Sequence, residues 1–197
     1  MKQYSQRIAS LLVVPALFFS SLACAHVGVG EHHGFLSGLS HPFSGFDHLA
    51  AMIAVGLWGA QLGGRAVWLV PLSFVSVMAI SGLLAMSDSP IPFIEGGITL
   101  SLLILGVLIA TAIRLPVIAS AAIVGLFAVF HGYAHAAEMP QNASALAYAA
   151  GFISATVLLH LSGIAMAVLA RKHSHAQWVR FAGAAVVLFG CVSLFGN

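Results

Sequence analysis

Six runs of apolar residues, each long enough to cross a hydrocarbon layer of about 30 Å, account for most of this chain. They cover residues 43–62, 66–87, 93–113, 116–136, 144–170 and 177–195. Without water, a segment of that kind satisfies its backbone polar groups only as a helix or in a closed barrel, and runs of roughly 17–25 residues have helical length. The breaks between runs are Gly63-Gly64-Arg65, Asp88-Ser89-Pro90-Ile91-Pro92, Arg114-Leu115-Pro116, Glu138-Met139-Pro140-Gln141-Asn142 and Arg171-Lys172-His173-Ser174-His175. Pro and Gly punctuate such boundaries. Hydrophobic residues make up 60% of the 197 and charged residues 6%, whereas soluble domains are about 45–50% apolar. The expected fold is all-α, a polytopic membrane bundle of six transmembrane helices forming one domain over residues 26–197.

The first 25 residues read as a cleavable signal peptide. Lys2 and Arg7 make a positive n-region, Ile8 to Phe19 an apolar stretch, and Ala23-Cys24-Ala25 an A-x-A cleavage site. An uncleaved first helix is the rival reading. Lipidation at Cys24 fits poorly, because Ser21 stands where a lipobox has Leu. Cleavage leaves Cys191 alone, so no intrachain disulfide is expected. It also leaves His26 at the new N-terminus, either as a flexible end or as an amine–imidazole metal chelate.

The mature chain has five basic residues, Arg65, Arg114, Arg171, Lys172 and Arg180. In a six-span topology all five fall on one side, which the positive-inside rule makes cytoplasmic. Glu31, Asp88, Glu95 and Glu138 fall near the other side. The expected location is the bacterial inner membrane, multi-pass, with both mature termini periplasmic. No basic run suggests nucleic acid, and no Gly-x-x-x-x-Gly-Lys-[Ser/Thr] loop suggests ATP hydrolysis.

Against that apolar background stand two short clusters, His41-Pro-Phe-Ser-Gly-Phe-Asp47-His48 and His131-Gly-Tyr-Ala-His135-Ala-Ala-Glu138. Ionisable groups at membrane depth cost about 2.5–3.5 kcal/mol each on insertion scales, so they need partners or a task. Asp47 and His48 lie in the first turns of the first span, at its outer end. A continuous helix would put His41 on the same face as His48, although Pro42 leaves the local geometry open. His131, His135 and Glu138 follow i, i+4, i+7 spacing and share one face at the outer end of the fourth span. Gly132 would let the first span approach, so that Asp47, His48, His131, His135 and Glu138 converge. Gly59-x-x-x-Gly63 and the Gly151/Ala155 pair read as close helix packing.

Each group also has a plainer reading. A buried Asp can pair with a backbone or hydroxyl group, and Met52 and Met139 are expected to pack. His160, near the bilayer midplane in the fifth span, is either a hydrogen-bonded packing residue or a second station below the clusters, with Thr156 one turn above it. His32, His33, His173 and His175 read as solvated loop residues, and Glu95 as interfacial. What favours function for the core set is joint placement at the ends of two helices. Imidazole nitrogen with carboxylate oxygen suits Ni²⁺, Co²⁺, Zn²⁺ or Cu²⁺ rather than an all-oxygen Mg²⁺ site.

Three segments are similar to the HupE/UreJ family of nickel/cobalt permeases: His41 to Trp58, His131 to Pro140 and Gly151 to Gly163. The layout of a signal peptide and six helices also resembles that family over nearly the whole chain. Ala136 departs from the family pattern, which tends to have Gly after the second histidine of the pair. The resemblance implies His41, Asp47, His48, His131, His135, Glu138 and His160 as functional residues. It also implies uptake of nickel or cobalt for hydrogenase, urease or cobalamin-dependent enzymes.

The leading expectation is a secondary permease or facilitated channel carrying Ni²⁺ or Co²⁺ from periplasm to cytoplasm. No enzymatic activity and no prosthetic group are expected; the ion is the substrate. The bilayer and the ion are the expected partners, cytoplasmic metallochaperones are candidate recipients, and oligomeric state is open. The alternatives are a metal sensor or chaperone subunit without transport and a haem-binding electron carrier, which the carboxylates among the histidines fit poorly. An intramembrane metalloenzyme is weaker still, since His-Glu-x-x-His is absent.

Overall fold

The computed structural model describes residues 33–86 and 90–196. The expected signal peptide, Cys24, His26, Glu31, His32 and Asp88 lie outside the described residues. Among those described, every regular element is helical. The helices are α1 (His33–Ser40), α2 (Phe46–Leu62), α3 (Ala66–Ala85), α4 (Ile94–Thr111), α5 (Val117–Ala137), α6 (Ala145–Lys172) and α7 (Gln177–Gly196), with a 3-10 turn at His41–Phe43 between α1 and α2.

Five helices, α3 to α7, are long and apolar enough to cross a membrane. α2 has 17 residues, about 25 Å of helix, at the short end of spanning lengths. It is also the most enclosed element. Ala51, Met52, Ala54, Val55, Trp58 and Ala60 are wholly buried, and α3, α4, α6 and α7 all pack against it. Small residues make that enclosure possible. A Cβ on Gly56 would lie 2.1 Å from the His160 carbonyl oxygen, and one on Gly163 would lie 2.2 Å from that of Ile53. The backbones of α2 and α6 therefore meet at a distance only glycine permits.

Two expectations about packing are corrected here. Gly59 and Gly63 do not form one interface: Gly63 ends α2 with φ +79° and open space around it, while Gly59 faces Ala66 and Pro71. The first span also does not begin at residue 43, nor does a continuous helix run through His41. Pro42 cannot donate a backbone hydrogen bond, Ser44 N–H and Oγ–H both donate to the His41 carbonyl (3.0 and 2.6 Å), and Gly45 is extended. The chain bends there, and α1, expected to be loop at His33, docks on α6.

The helices alternate in direction, so the loops sort to two ends. Gln61, Arg114, Arg171 and Arg180 line one cavity at the α4–α5 and α6–α7 ends. The Arg180 guanidinium donates to the Ala110 carbonyl there (2.8 Å). His173 and His175 are exposed in the α6–α7 turn, as expected. The starts of α2, α4 and α6 and the ends of α3 and α5 lie at the opposite end, and the two histidine clusters are there.

Candidate metal centre

α2 and α5 carry the core of the site, but their backbones do not approach closely. The gap is spanned by imidazoles. His48 Nδ1 lies 3.2 Å from His131 Nδ1, and the ring centroids of His48 and His135 are 4.2 Å apart. His48, His131 and His135 each present one nitrogen within 4.8 Å of the others. All three are buried, at 8%, 0% and 1% exposure. Gly132 does lie beside the pair, but it admits α3 rather than α2: its absent Cβ would sit 2.1 Å from the Met78 carbonyl oxygen.

The bend at Pro42 folds His41 back over this trio. His41 Nε2–H donates to Glu138 Oε2 at 2.8 Å, and its ring stands edge-on to His135 at 4.8 Å. His41, His135 and Glu138 make a second group of three with ligand atoms within 4.8 Å of one another. Here the Glu138 side chain is 53% exposed. Glu138 also caps the C-terminal end of α5, where the helix dipole disfavours an anion by about 0.3–1 kcal/mol. His135 belongs to both groups, so a solvent-facing set and a buried set share one residue.

The hydrogen bonds show which nitrogens carry lone pairs and which have no partner. Ser101 Oγ–H donates to the Ile98 carbonyl at 2.6 Å, so toward His131 Nε2, 3.2 Å away, the hydroxyl oxygen acts as acceptor. That fixes Nε2–H on His131 and leaves its Nδ1 lone pair aimed at His48, the arrangement that outer partners impose on metal-binding histidines. Both nitrogens of His135 are buried with no hydrogen-bond partner among the described residues. Buried polar atoms are rarely left so, and a cation would take up the one of the two that carries a lone pair. Three imidazoles with a carboxylate at the mouth form a donor set suited to Ni²⁺, Co²⁺, Zn²⁺ or Cu²⁺.

Other predicted residues fall outside these groups. Asp47 Oδ1 accepts the His48 backbone N–H at 2.9 Å, in the first turn of α2 where the dipole favours an anion. Glu95 is exposed in the first turn of α4, at the same end of the bundle as Asp47 and Glu138. Three carboxylates thus gather at that end, Glu95 at the interface as expected. His160 lies deeper: its Nδ1–H donates to the Met52 carbonyl at 2.7 Å, while Nε2 is buried without a partner among the described residues. It is thus both a packing residue and a residue with a free lone pair. Ser101 was missed, because a serine in an apolar helix carries no signal of its own.

The whole-chain comparisons agree with one another. A model of the HupE / UreJ protein family matches residues 14–193. Protein HupE of Rhizobium leguminosarum bv. viciae is 45% identical over 181 residues, covering 92% of this chain and 94% of that protein. No solved structure matches the chain.

Proposed function

Because the chain belongs to the HupE / UreJ family, we propose that it is a secondary permease or facilitated channel that takes Ni²⁺, or Co²⁺, from periplasm to cytoplasm. The observation that carries this reading is the buried trio His48, His131 and His135, with both His135 nitrogens unpartnered. In this reading α2 is a sixth span beside the five longer helices. The arginine end faces the cytoplasm by the positive-inside rule, and the histidine end faces the periplasm, as do both mature termini after cleavage of residues 1–25. The ion is cargo, no prosthetic group takes part, no bond in a substrate is broken, and a cytoplasmic metallochaperone is a fitting recipient.

The steps follow from the site's gradation. Asp47, Glu95 and Glu138 raise the local concentration of hydrated cations at the mouth. His41, His135 and Glu138 then exchange for some of the ion's waters where Glu138 is still wet. Turning from that group to His48 and His131 requires no release of His135. An inside-negative potential favours entry of a divalent ion by about 4.6 kcal/mol per 100 mV, twice the single-charge value, which supports transport without nucleotide hydrolysis.

Uptake of radiolabelled Ni²⁺ and Co²⁺ by cells expressing the wild-type chain, His48→Ala and His131→Ala tests the reading. The variants are expected to lose uptake, and an uncoupler is expected to reduce the wild-type rate. Uptake equal to wild type in both variants would reject it. Binding without flux in liposomes would instead identify a sensor or chaperone subunit.

A further inference from the structure

At the end of the bundle opposite the histidines, a cavity of about 330 Å³ is walled in part by Arg114, Arg171, Arg180, Gln61 and Gln177. Three of the five basic residues beyond residue 25 thus converge on one space, while Arg65 and Lys172 stay out of its lining. Arg180 is fixed there by Nε–H donating to the Ala110 carbonyl at 2.8 Å. Both of its Nη groups are left without a partner among the described residues. The side chains of Arg114 and Arg171 have no hydrogen-bond or ion-pair partner among those residues. No carboxylate answers these charges: Asp47, Glu95 and Glu138 lie at the opposite end, and Glu31 and Asp88 lie outside the described residues. Helix dipoles do not answer them either. α2, α4 and α6 end here while α3, α5 and α7 begin here, so their partial charges of opposite sign cancel.

We propose that this cavity is a binding site for the phosphodiester headgroup of an anionic phospholipid. The site is separate from the metal centre and requires only that the helices cross a bilayer, not that the chain carries an ion. Guanidinium forks match phosphate oxygens two at a time, with more geometric specificity than an ammonium offers. Basic pockets between membrane helices on the cytoplasmic side are where such headgroups bind. An anionic headgroup fits better than a zwitterionic one, whose ammonium would bring a fourth cation into a wall that has no carboxylate to receive it. A soluble phosphate offers the same oxygens but no acyl chains, and the surface beside the cavity suits acyl chains. Trp178 and Phe181, next to Gln177 and Arg180 in the first turns of α7, are exposed, with ring centroids 5.7 Å apart. Tryptophan marks headgroup depth in membrane helices. Exposed Leu188 and Val192 follow Phe181 at i+7 and i+11, so an apolar stripe runs along one face of α7 from the edge of the cavity.

The test titrates the full chain, purified in non-ionic detergent and stripped of lipid, with phosphatidylglycerol or phosphatidylcholine, and counts bound lipid by native mass spectrometry. Inorganic phosphate at the same concentration serves as competitor. The wild type should hold one phosphatidylglycerol about tenfold more tightly than phosphatidylcholine, and phosphate should not displace it. Arg114→Gln, Arg171→Gln and Arg180→Gln should each weaken phosphatidylglycerol about fivefold, and the triple variant about a hundredfold. Arg65→Gln and Lys172→Gln remove the same charge outside the lining and should leave Kd within about twofold. Equal affinity for the two lipids overturns the proposal. So does equal weakening by the variants outside the lining, which would mean diffuse surface charge. Displacement by equimolar phosphate overturns the lipid assignment in favour of a free anion. The lipid comparison in the wild type needs no variant, so it decides the matter if an arginine variant does not assemble. None of these readouts depends on Ni²⁺ uptake, so the permease reading stands or falls separately.

Discussion

Ser101 is a sharp test of the metal centre, because it touches the site only through the far side of one imidazole. Its hydroxyl is committed to the Ile98 carbonyl at 2.6 Å, and its oxygen receives His131 Nε2–H at 3.2 Å. Ser101→Ala removes that acceptor inside a fully buried setting. A buried N–H without an acceptor costs about 1–3 kcal/mol, and the ring can escape the cost by moving its proton to Nδ1. That nitrogen is the one facing His48, so the escape removes the lone pair a metal would use. Losing an outer partner of a metal-ligating histidine typically lowers affinity about 10–100-fold, equivalent to ~1.4–2.8 kcal/mol; the two figures agree. Calorimetric titration of Ni²⁺ into the purified protein should show that loss for Ser101→Ala and recovery in Ser101→Thr, which keeps the hydroxyl. Nitrogen NMR of labelled histidine should show the His131 proton on Nε2 in the wild type and on Nδ1 in Ser101→Ala. A folded Ser101→Ala protein that binds Ni²⁺ within about twofold of wild type would refute the reasoning.

Three further outcomes are expected. Asp47→Asn keeps an acceptor for the His48 N–H but removes one of the three carboxylates at that end of the bundle. Ni²⁺ association, followed by stopped flow, should slow several-fold at low ionic strength, and the difference should vanish in high salt. Gly132→Ala places a methyl 2.1 Å from the Met78 carbonyl oxygen, so α3 and α5 must part. A loss of about 1–3 kcal/mol, seen as a lower thermal midpoint, should accompany weakened Ni²⁺ binding. Finally, imidazole ligates only when neutral, so protons compete with the metal. Ni²⁺ affinity should fall as the solution is acidified, and calorimetry in buffers of different ionisation enthalpy should show protons released to the buffer as metal loads under acidic conditions.

Much of the bundle was legible because span length and polar breaks are local properties. The His131/His135 pair was legible for the same reason: i, i+4 spacing places two side chains on one face whatever surrounds them. The opening helix α1 and the bend at His41–Gly45 were not. Pro42 announces a break, but its direction depends on α1 finding α6, more than a hundred residues later in the chain. Gly132 shows the same limit. Its lack of a side chain marks a close contact, yet only the assembled bundle decides that α3 is the neighbour. Asp47 shared the histidine pattern in sequence, but its carboxylate turns to the His48 backbone and the helix start, a competing local partner that spacing cannot reveal. Ser101 matters only through the imidazole it touches, and that contact is made between helices.

The unpartnered nitrogens imply that the site is held at a cost to the folded state. His135 keeps Nδ1 and Nε2 buried and unsatisfied among the described residues, packed against His41, His48 and Phe152. Each buried unsatisfied group costs about 1–3 kcal/mol, more than one exchange of ring contacts for aliphatic ones. A leucine of similar volume would leave nothing unsatisfied, so metal-free His135→Leu should melt at a higher temperature than metal-free wild type. The order should invert with ligand. Ni²⁺ at a hundred times Kd should stabilise the wild type by ~2.7 kcal/mol and leave His135→Leu unmoved. Thermal denaturation in detergent, with and without Ni²⁺, measures both shifts. If metal-free His135→Leu proved less stable than metal-free wild type, those nitrogens would have to be satisfied already in the resting protein. The case for a ligand site at His135 would then lose its strongest support.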